Sequence, residues 1–347
     1  MAVTLTSLSD IAALGFDSVI DVRSPSEFAE DHVPGAISLP VLDDEERARV
    51  GTIYKQDSPF KARKIGAALV AKNAAAHIQG PLADMDGGWR PLVYCWRGGQ
   101  RSGSFAMILG QIGWRAETVQ GGYKAFRGLV VKALYETPFP APVIVLDGNT
   151  GTAKTDLLHL LRARGVQVID LEGLANHRGS LFGHRAGGQP AQKGFETALA
   201  MEIAALDPAR PVVVEAESSK VGDLRLPPKL WRAMCDAPRI HVSAPLSARA
   251  AYLARAYADL TADIAALHDV IDKLRPMQPG EAIERWHGYA EAGTFEPLAA
   301  ELMEMHYDPR YNRQRARTAG EAGRTVMAED LSEAALPDLA DRIRDLI

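Results

Sequence analysis

Two short stretches hold residue types whose spacing can do chemistry. In "CWRGGQRS", residues 95 to 102, an arginine follows a cysteine by six positions, with a glycine pair between them. Gly98 and Gly99 let the backbone curl so that successive N–H groups converge on an anion. Arg97 and Arg101 add positive charge, and a helix from about Gly103 adds its N-terminal end. All of these favour thiolate over thiol, and the thiolate is the nucleophile. Cys95 and Arg101 are therefore the catalytic candidates, and Arg97, Gly98, Gly99, Gln100 and Ser102 are the anion-binding ones. The spacing alone serves a sulfur- or selenium-carrying cysteine and a cysteine phosphatase equally well.

The second stretch is "GNTGTAKT", residues 148 to 155, which follows the apolar run "PVIVLD" and opens a helix. It fits the phosphate-loop pattern Gly-x-x-x-x-Gly-Lys-Thr except that Ala153 replaces the second glycine. Gly148, Asn149, Thr150, Gly151 and Thr152 would cradle phosphates with their N–H groups. Lys154 would reach the outer oxygens, and Thr155 can hold a magnesium ion. The extra Cβ of Ala153 favours anion binding, with diphosphate as one candidate, over ordinary nucleotide hydrolysis. Glu215, ending "PVVVE", is the candidate acid that orders magnesium, and Glu217 shares its side of the strand.

Both stretches need a parallel strand to deliver them, and the surrounding sequence supplies one for each. "SVIDVR", "AISLP", "PLVYC" and "AETVQ" read as strands separated by helical segments, an α/β alternation over residues 1–135. Three prolines in residues 136–142 mark a linker. Residues 143–347 restart the alternation with "PVIVLDG", "VQVIDLEG", "RPVVVEAES" and "RIHVSAP", then turn mostly helical from about Ser247 to Met305. "DRIRDLI" reads as a closing helix.

Composition narrows the class. The chain has 347 residues, 47% hydrophobic and 24% charged, as expected for a globular protein of two domains. Its apolar runs are too short to span a bilayer, and residues 1–17 lack a secretory pattern. Only Cys95 and Cys235 are present, which suits a reducing cytoplasm, and Cys235 reads as a small buried hydrophobe. No histidine or cysteine spacing suggests a metal site. The net charge of −5 argues against a general nucleic-acid coat but leaves room for local patches. His177, Arg178, His184, Arg185 and Lys193 form one such patch. Arg310, Arg313, Arg315 and Arg317, interleaved with Tyr307 and Tyr311, form another suited to phosphates and unpaired bases of RNA. "YKQDSPFKARKIGAALV" (54 to 70) is a weaker third.

"VIDVRSPSEFAEDHVPGAISLP" and "VQGGYKAFR", together with the cysteine loop, resemble a rhodanese domain. With "GTIYKQDSPFKARKIGAALV", "GNTGTAKT", "DLEGLANHRGSLFG" and "QPAQKGFE", the chain from about residue 15 to 315 resembles tRNA 2-selenouridine synthases. The resemblance implies an N-terminal rhodanese-like parallel-sheet domain and a C-terminal P-loop NTPase-like α/β domain with a helical extension. It implies an enzyme that replaces the sulfur of wobble-position 2-thiouridine in tRNA with selenium from selenophosphate. An S-geranyl intermediate made from geranyl diphosphate is implied as well, with no tightly bound cofactor. On that reading Cys95 engages selenophosphate, as a selenium adduct or by holding the donor for direct attack, and the phosphate loop holds the prenyl diphosphate. The rival reading is a sulfurtransferase or cysteine phosphatase with a regulatory nucleotide-binding domain.

Overall fold

The computed structural model describes residues 2–311 and 323–347. The chain divides into two compact units, Met1–Pro138 with Pro190–Ala205, and Phe139–Gln189 with Leu206–Ile347.

In the first unit, β1 (Ala2–Val3), β2 (Ser18–Asp21), β3 (Ile37–Ser38), β4 (Pro91–Tyr94) and β5 (Glu117–Val119) form a parallel sheet in the order β1-β5-β4-β2-β3. Strand β4 is central and every residue of it is buried, which is why it reads as an unbroken apolar run. Val93, Cys95, Phe105, Leu109 and Trp89 share one core with residues of the helix Pro59–Gln79. That helix and its predecessor, Asp44–Gln56, start at the side-chain caps Ser58 and Asp43, which accept from Lys61 N and Glu46 N. The helix Pro25–Glu30 starts at Ser24: Pro25 takes the first position, and Ser24 N donates to Glu27 Oε2 at 3.1 Å.

In the second unit, β6 (Val143–Gly148), β7 (Gln167–Ile169), β8 (Val212–Glu215), β11 (Arg239–Ser243) and β12 (Arg324–Met327) form a parallel sheet in the order β12-β11-β6-β8-β7. β9 (Lys220–Val221) and β10 (Leu224–Arg225) make a small antiparallel hairpin. Central placement of β6 sets the phosphate loop between neighbours on both sides. The helices Ile264–Asp272, Gly280–Glu291 and Phe295–Leu302 pack around Trp286, which is fully buried, with Leu267, Ile271 and Ile283. Burying one such side chain contributes about 1.5–3 kcal/mol. The closing helix falls at Leu336–Arg344. Among the described residues no helix is long and apolar enough to cross a membrane.

The division of the chain departs from a single boundary in the proline linker. Helix Gln192–Ala204, which the sequence places inside the second domain, packs in the first unit. The physical reason is a polar network. Thr197 Oγ1 donates to Asp31 Oδ2 at 2.8 Å, Tyr123 OH donates to the same oxygen at 2.6 Å, and Glu196 accepts from Arg127 and Tyr135. Leaving Asp31 buried without these donors would cost the desolvation of a carboxylate.

Candidate active sites

The thiol of the first unit lies at the C-terminal end of β4, where parallel sheets present their ligands. Cys95 is 4% exposed, while Arg97, Gly98, Gly99 and Gln100 around it are exposed. Its Sγ accepts from Gly99 N at 3.4 Å and from Ser102 Oγ at 3.2 Å, at the start of the helix Gln100–Ile112. Burial pushes the thiol up. The Ser102 hydroxyl, the amides of Ser102 and Gly99, and the charge of Arg101 outweigh it and hold Cys95 below the ordinary thiol range. Backbone contact fixes the loop from below: Tyr123 N donates to Cys95 O at 2.8 Å, and Lys124 N to Trp96 O at 3.0 Å. Gly98 has φ +64° and Gly122 has φ +59°, and a Cβ on Gly122 would lie 2.2 Å from Cys95 O. Only glycine fits there, so the "VQGGY" turn is the floor of the cysteine loop.

Arg101 does not point freely at the sulfur. Its guanidinium pairs with Glu27 Oε2 at 2.9 Å, which Arg47 also approaches at 3.0 Å. Burial would raise the Glu27 carboxyl, yet these cations and the Ser24 amide hold it below the usual carboxylate range. Gln100, Arg101 and Ser104 also edge a bay of about 260 Å³ lined by Leu42, Tyr54 and Val70.

In the second unit, the phosphate loop keeps the expected backbone despite Ala153. That residue adopts the left-handed conformation, φ 57° and ψ 29°, and starts the helix Lys154–Ala163. The alanine therefore occupies a glycine conformation at a cost of roughly 1–2 kcal/mol. Gly151 has φ +85°, and a Cβ on it would lie 3.0 Å from Arg249 O. Lys154 Nζ donates to Gly148 O at 3.0 Å, folded over its own loop.

Sequence reasoning missed three residues here. Arg249, 6% exposed, donates to Thr150 O at 3.1 Å and grips Asp308 with both terminal nitrogens at 3.0 and 2.8 Å. Asp308 in turn accepts from Asn149 Nδ2 at 3.0 Å, so the pair braces the loop. Glu172 is the carboxylate that meets Thr155, accepting from its hydroxyl at 2.9 Å. Glu215 stands behind it instead. Its Oε1 accepts from Glu172 N at 2.8 Å, and its buried Oε2 has no partner among the described residues. Full burial, with Glu172 and Asp170 near, pushes Glu215 far above the carboxylate range. The available signal was "DLEG": Asp170 and Glu172 directly follow β7, at the ligand-binding ends of the strands. Among the described residues, no group of three or more His, Cys, Asp or Glu side chains is arranged to hold a metal ion.

The basic candidates separate. Arg178 and Arg185 line the phosphate-loop cavity of about 400 Å³ with Lys154 and Thr155. Arg178 pairs with Asp259 at 2.7 Å and lies 4.7 Å over the Tyr257 ring. His177 is 3% exposed and accepts from Gly179 N, so it is an internal brace with no surface to offer RNA. His184, paired with it by a backbone bridge, is exposed. Lys193 belongs to the first unit and pairs with Glu30 at 2.6 Å. Arg310 is exposed, whereas Arg313, Arg315 and Arg317 lie outside the described residues. Cys235 is exposed, because it ends its helix facing outward while Leu230 and Met234 take the core.

A second, apolar cavity adjoins the phosphate loop. About 70 Å³ in volume and lined by Phe182, Leu267, Phe295 and Leu302, it shares Thr150, Ser180, Leu253 and Tyr257 with the phosphate-loop cavity.

A buried cysteine sulfur that accepts hydrogen bonds on one parallel sheet and a braced phosphate loop on another define a two-domain rhodanese and P-loop protein. Residues 4–129 match the family model described as a rhodanese-like domain, and residues 141–277 match the tRNA 2-selenouridine synthase AAA domain. A tRNA 2-selenouridine synthase of Aeromonas salmonicida is 39% identical over 254 residues, 72% of this chain and 67% of its own length. That of Pseudomonas syringae pv. syringae is 41% identical over 241 residues, 67% of this chain and 64% of its own. That of Bordetella bronchiseptica is 34% identical over 354 residues, 92% of this chain and 93% of its own. The match thus spans about two thirds of the Aeromonas and Pseudomonas relatives and nearly all of the Bordetella one. The chain belongs to the tRNA 2-selenouridine synthase family.

Proposed function

We propose that the protein is a cytoplasmic tRNA-modifying transferase that converts wobble-position 2-thiouridine to 2-selenouridine, with geranyl diphosphate and selenophosphate as co-substrates. The observation that carries the reading is the pair of adjoining cavities in the second unit. A phosphate cradle that shares Thr150, Ser180, Leu253 and Tyr257 with an apolar chamber suits a diphosphate with a hydrocarbon tail better than a nucleotide. Lys154, Arg178, Arg185 and the loop amides would bind the diphosphate, and Phe182, Phe295 and Leu302 the chain. Thr155 and Glu172 are hard oxygen donors of the kind magnesium takes, one or two at a time alongside a substrate's phosphates. A bound ion would neutralise the leaving diphosphate.

Geranylation makes the sulfur a leaving group. In the first unit Arg97 and the exposed loop amides would hold selenophosphate over Cys95. Attack by the thiolate on phosphorus is redox-neutral: the S–P bond forms as P–Se breaks, and selenium keeps the electron pair. Selenium then bonds to carbon 2 of the base as the carbon–sulfur bond breaks and geranyl thiolate leaves. Water cleaves the phosphorylated cysteine to phosphate and restores the thiolate. Attack on selenium would instead release phosphite and leave a sulfur–selenium adduct on Cys95, from which selenium reaches carbon 2 at the selenide level only with a two-electron reductant. The apolar bay beside Arg101 offers room for the geranyl group during this step.

Nucleoside mass spectrometry tests the reading, using 2-thiouridine tRNA with both donors and with each omitted. The expected result is S-geranyl-2-thiouridine with geranyl diphosphate alone and 2-selenouridine only with both. Lys154→Ala is expected to lose geranyl transfer, and Cys95→Ser to stop at the geranylated nucleoside. Unchanged 2-thiouridine in every reaction of the wild-type protein would overturn the proposal.

A further inference from the structure

The arginine of the cysteine loop shares its carboxylate with a second arginine. Glu27 is buried, and one of its oxygens takes every contact. Oε2 accepts from Ser24 N at 3.1 Å, from Ser24 Oγ at 3.3 Å and from Arg101 Nη1 at 2.9 Å, and Arg47 Nε lies 3.0 Å from it. The buried Oε1 has no partner among the described residues. A carboxylate oxygen has about two lone-pair sites, so two arginines compete for one acceptor while a second stays unused.

The two arginines differ in where they can go. Arg47 is exposed on the helix Asp44–Gln56 and has no part in the cysteine loop. Arg101 is partly buried in the first turn of the helix Gln100–Ile112, and it edges the bay of about 260 Å³ beside the loop. Its charge helps to hold the Cys95 thiol low, so the guanidinium lies within electrostatic reach of the sulfur.

We propose that Glu27 holds Arg101 only until an oxyanion enters the cysteine loop, and that Arg47 is the positioning residue that lets it transfer. The proposal rests on the reading of that loop as the selenophosphate site. When the donor arrives, the Arg101 guanidinium moves from Glu27 to the oxygens of the anion, and Arg47 stays on the carboxylate. Taking the last cation from a buried carboxylate is strongly unfavourable, and Arg47 prevents that here. Oε1 gives Arg47 a second oxygen to close on, and a guanidinium pairs best with both oxygens of a carboxylate. The transfer serves the chemistry. A thiolate attacking an anionic phosphorus brings two negative charges together, and Arg101 on the donor supplies the opposing charge.

The test uses the full-length protein and thiophosphate, a stable oxyanion of the donor's shape. Its Kd is read from the protection of Cys95 against iodoacetamide, followed at the Cys95 peptide by mass spectrometry because Cys235 is exposed as well. Arg47→Ala is expected to raise that Kd about tenfold, since Arg101 could then leave only by stranding a buried carboxylate. Arg47→Lys should recover most of the loss. Glu27→Gln keeps the helix start, where glutamine serves as well as glutamate, and by releasing Arg101 should lower the Kd. The two changes should be coupled: in the Glu27→Gln background, Arg47→Ala should no longer affect the Kd. A Glu27→Gln variant that binds more weakly would show that Glu27 aims Arg101 at the anion and would overturn the proposal. So would a wild-type Kd in Arg47→Ala, or an equal effect of Arg47→Ala in both backgrounds, which would make Arg47 a distant charge. Each of these leaves the selenophosphate reading standing. Wild-type protein whose Cys95 thiophosphate never protects would overturn both.

Discussion

Cys95 and Ala153 show how single residues carry the two sites. The Cys95 thiol sits below its ordinary range although burial works against it, so the hydrogen bonds to sulfur decide its charge. Ser102→Ala removes the 3.2 Å hydroxyl contact. The alkylation rate of Cys95 against pH should then inflect at higher pH than in the wild type, because less thiolate exists at any pH between the two inflections. A profile unmoved by that change would put the control elsewhere in the loop. Ala153 carries left-handed strain with its methyl group buried. Ala153→Gly relieves about 1 kcal/mol of strain and loses about 0.8 kcal/mol of methyl burial, so denaturant unfolding should show little change. Ala153→Val places a β-branched residue at the same φ and is expected to cost on the order of 2 kcal/mol more. The nucleophile and the loop lysine were legible because their chemistry needs a fixed local spacing. Glu172 and Arg249 were not, since each acts on residues far from it in sequence: Glu172 on Thr155, and Arg249 on Thr150 and Asp308.

Elements were legible where a strand is long and buried. "PVIVLDG" became Val143–Gly148 and "PLVYC" became Pro91–Tyr94. The two-residue strands Ala2–Val3 and Lys220–Val221 have too few residues to show any period, and Arg324–Met327 follows an arginine-rich run that masks it. Helix Gln192–Ala204 reads as a helix, but periodicity reports that a face is buried and not which core buries it. Its polar anchors are the informative part. Thr197→Val deletes a donor to buried Asp31 and should destabilise the first unit by about 1–3 kcal/mol in denaturant unfolding. A change below a few tenths would show that Tyr123 and Arg127 satisfy Asp31 without it.

At the scale of the whole molecule, a net charge of −5 coexists with local cations. Lys154, Arg178 and Arg185 line one cavity beside Asp156, Glu172 and Glu333, and Arg97 is exposed next to the thiol. Local fields of that kind draw anionic substrates without making the surface generally basic. The chain also passes between its two units three times, after Pro138, after Gln189 and after Ala205. A truncation at Pro138 keeps every strand of the first sheet and the complete cysteine loop, yet lacks Glu196 and Thr197. It should therefore unfold well below the full-length protein, and adding a synthetic peptide of residues 190–205 should raise its melting temperature. No gain from the peptide would mean that the polar network contributes little. The same threading dictates an order of events at the ribosome. Domains generally mature as they emerge, at roughly 5–20 residues per second. Here the amino-terminal sheet is synthesised before its last helix, so for several seconds Asp31 and Arg127 wait for their partners Thr197 and Glu196.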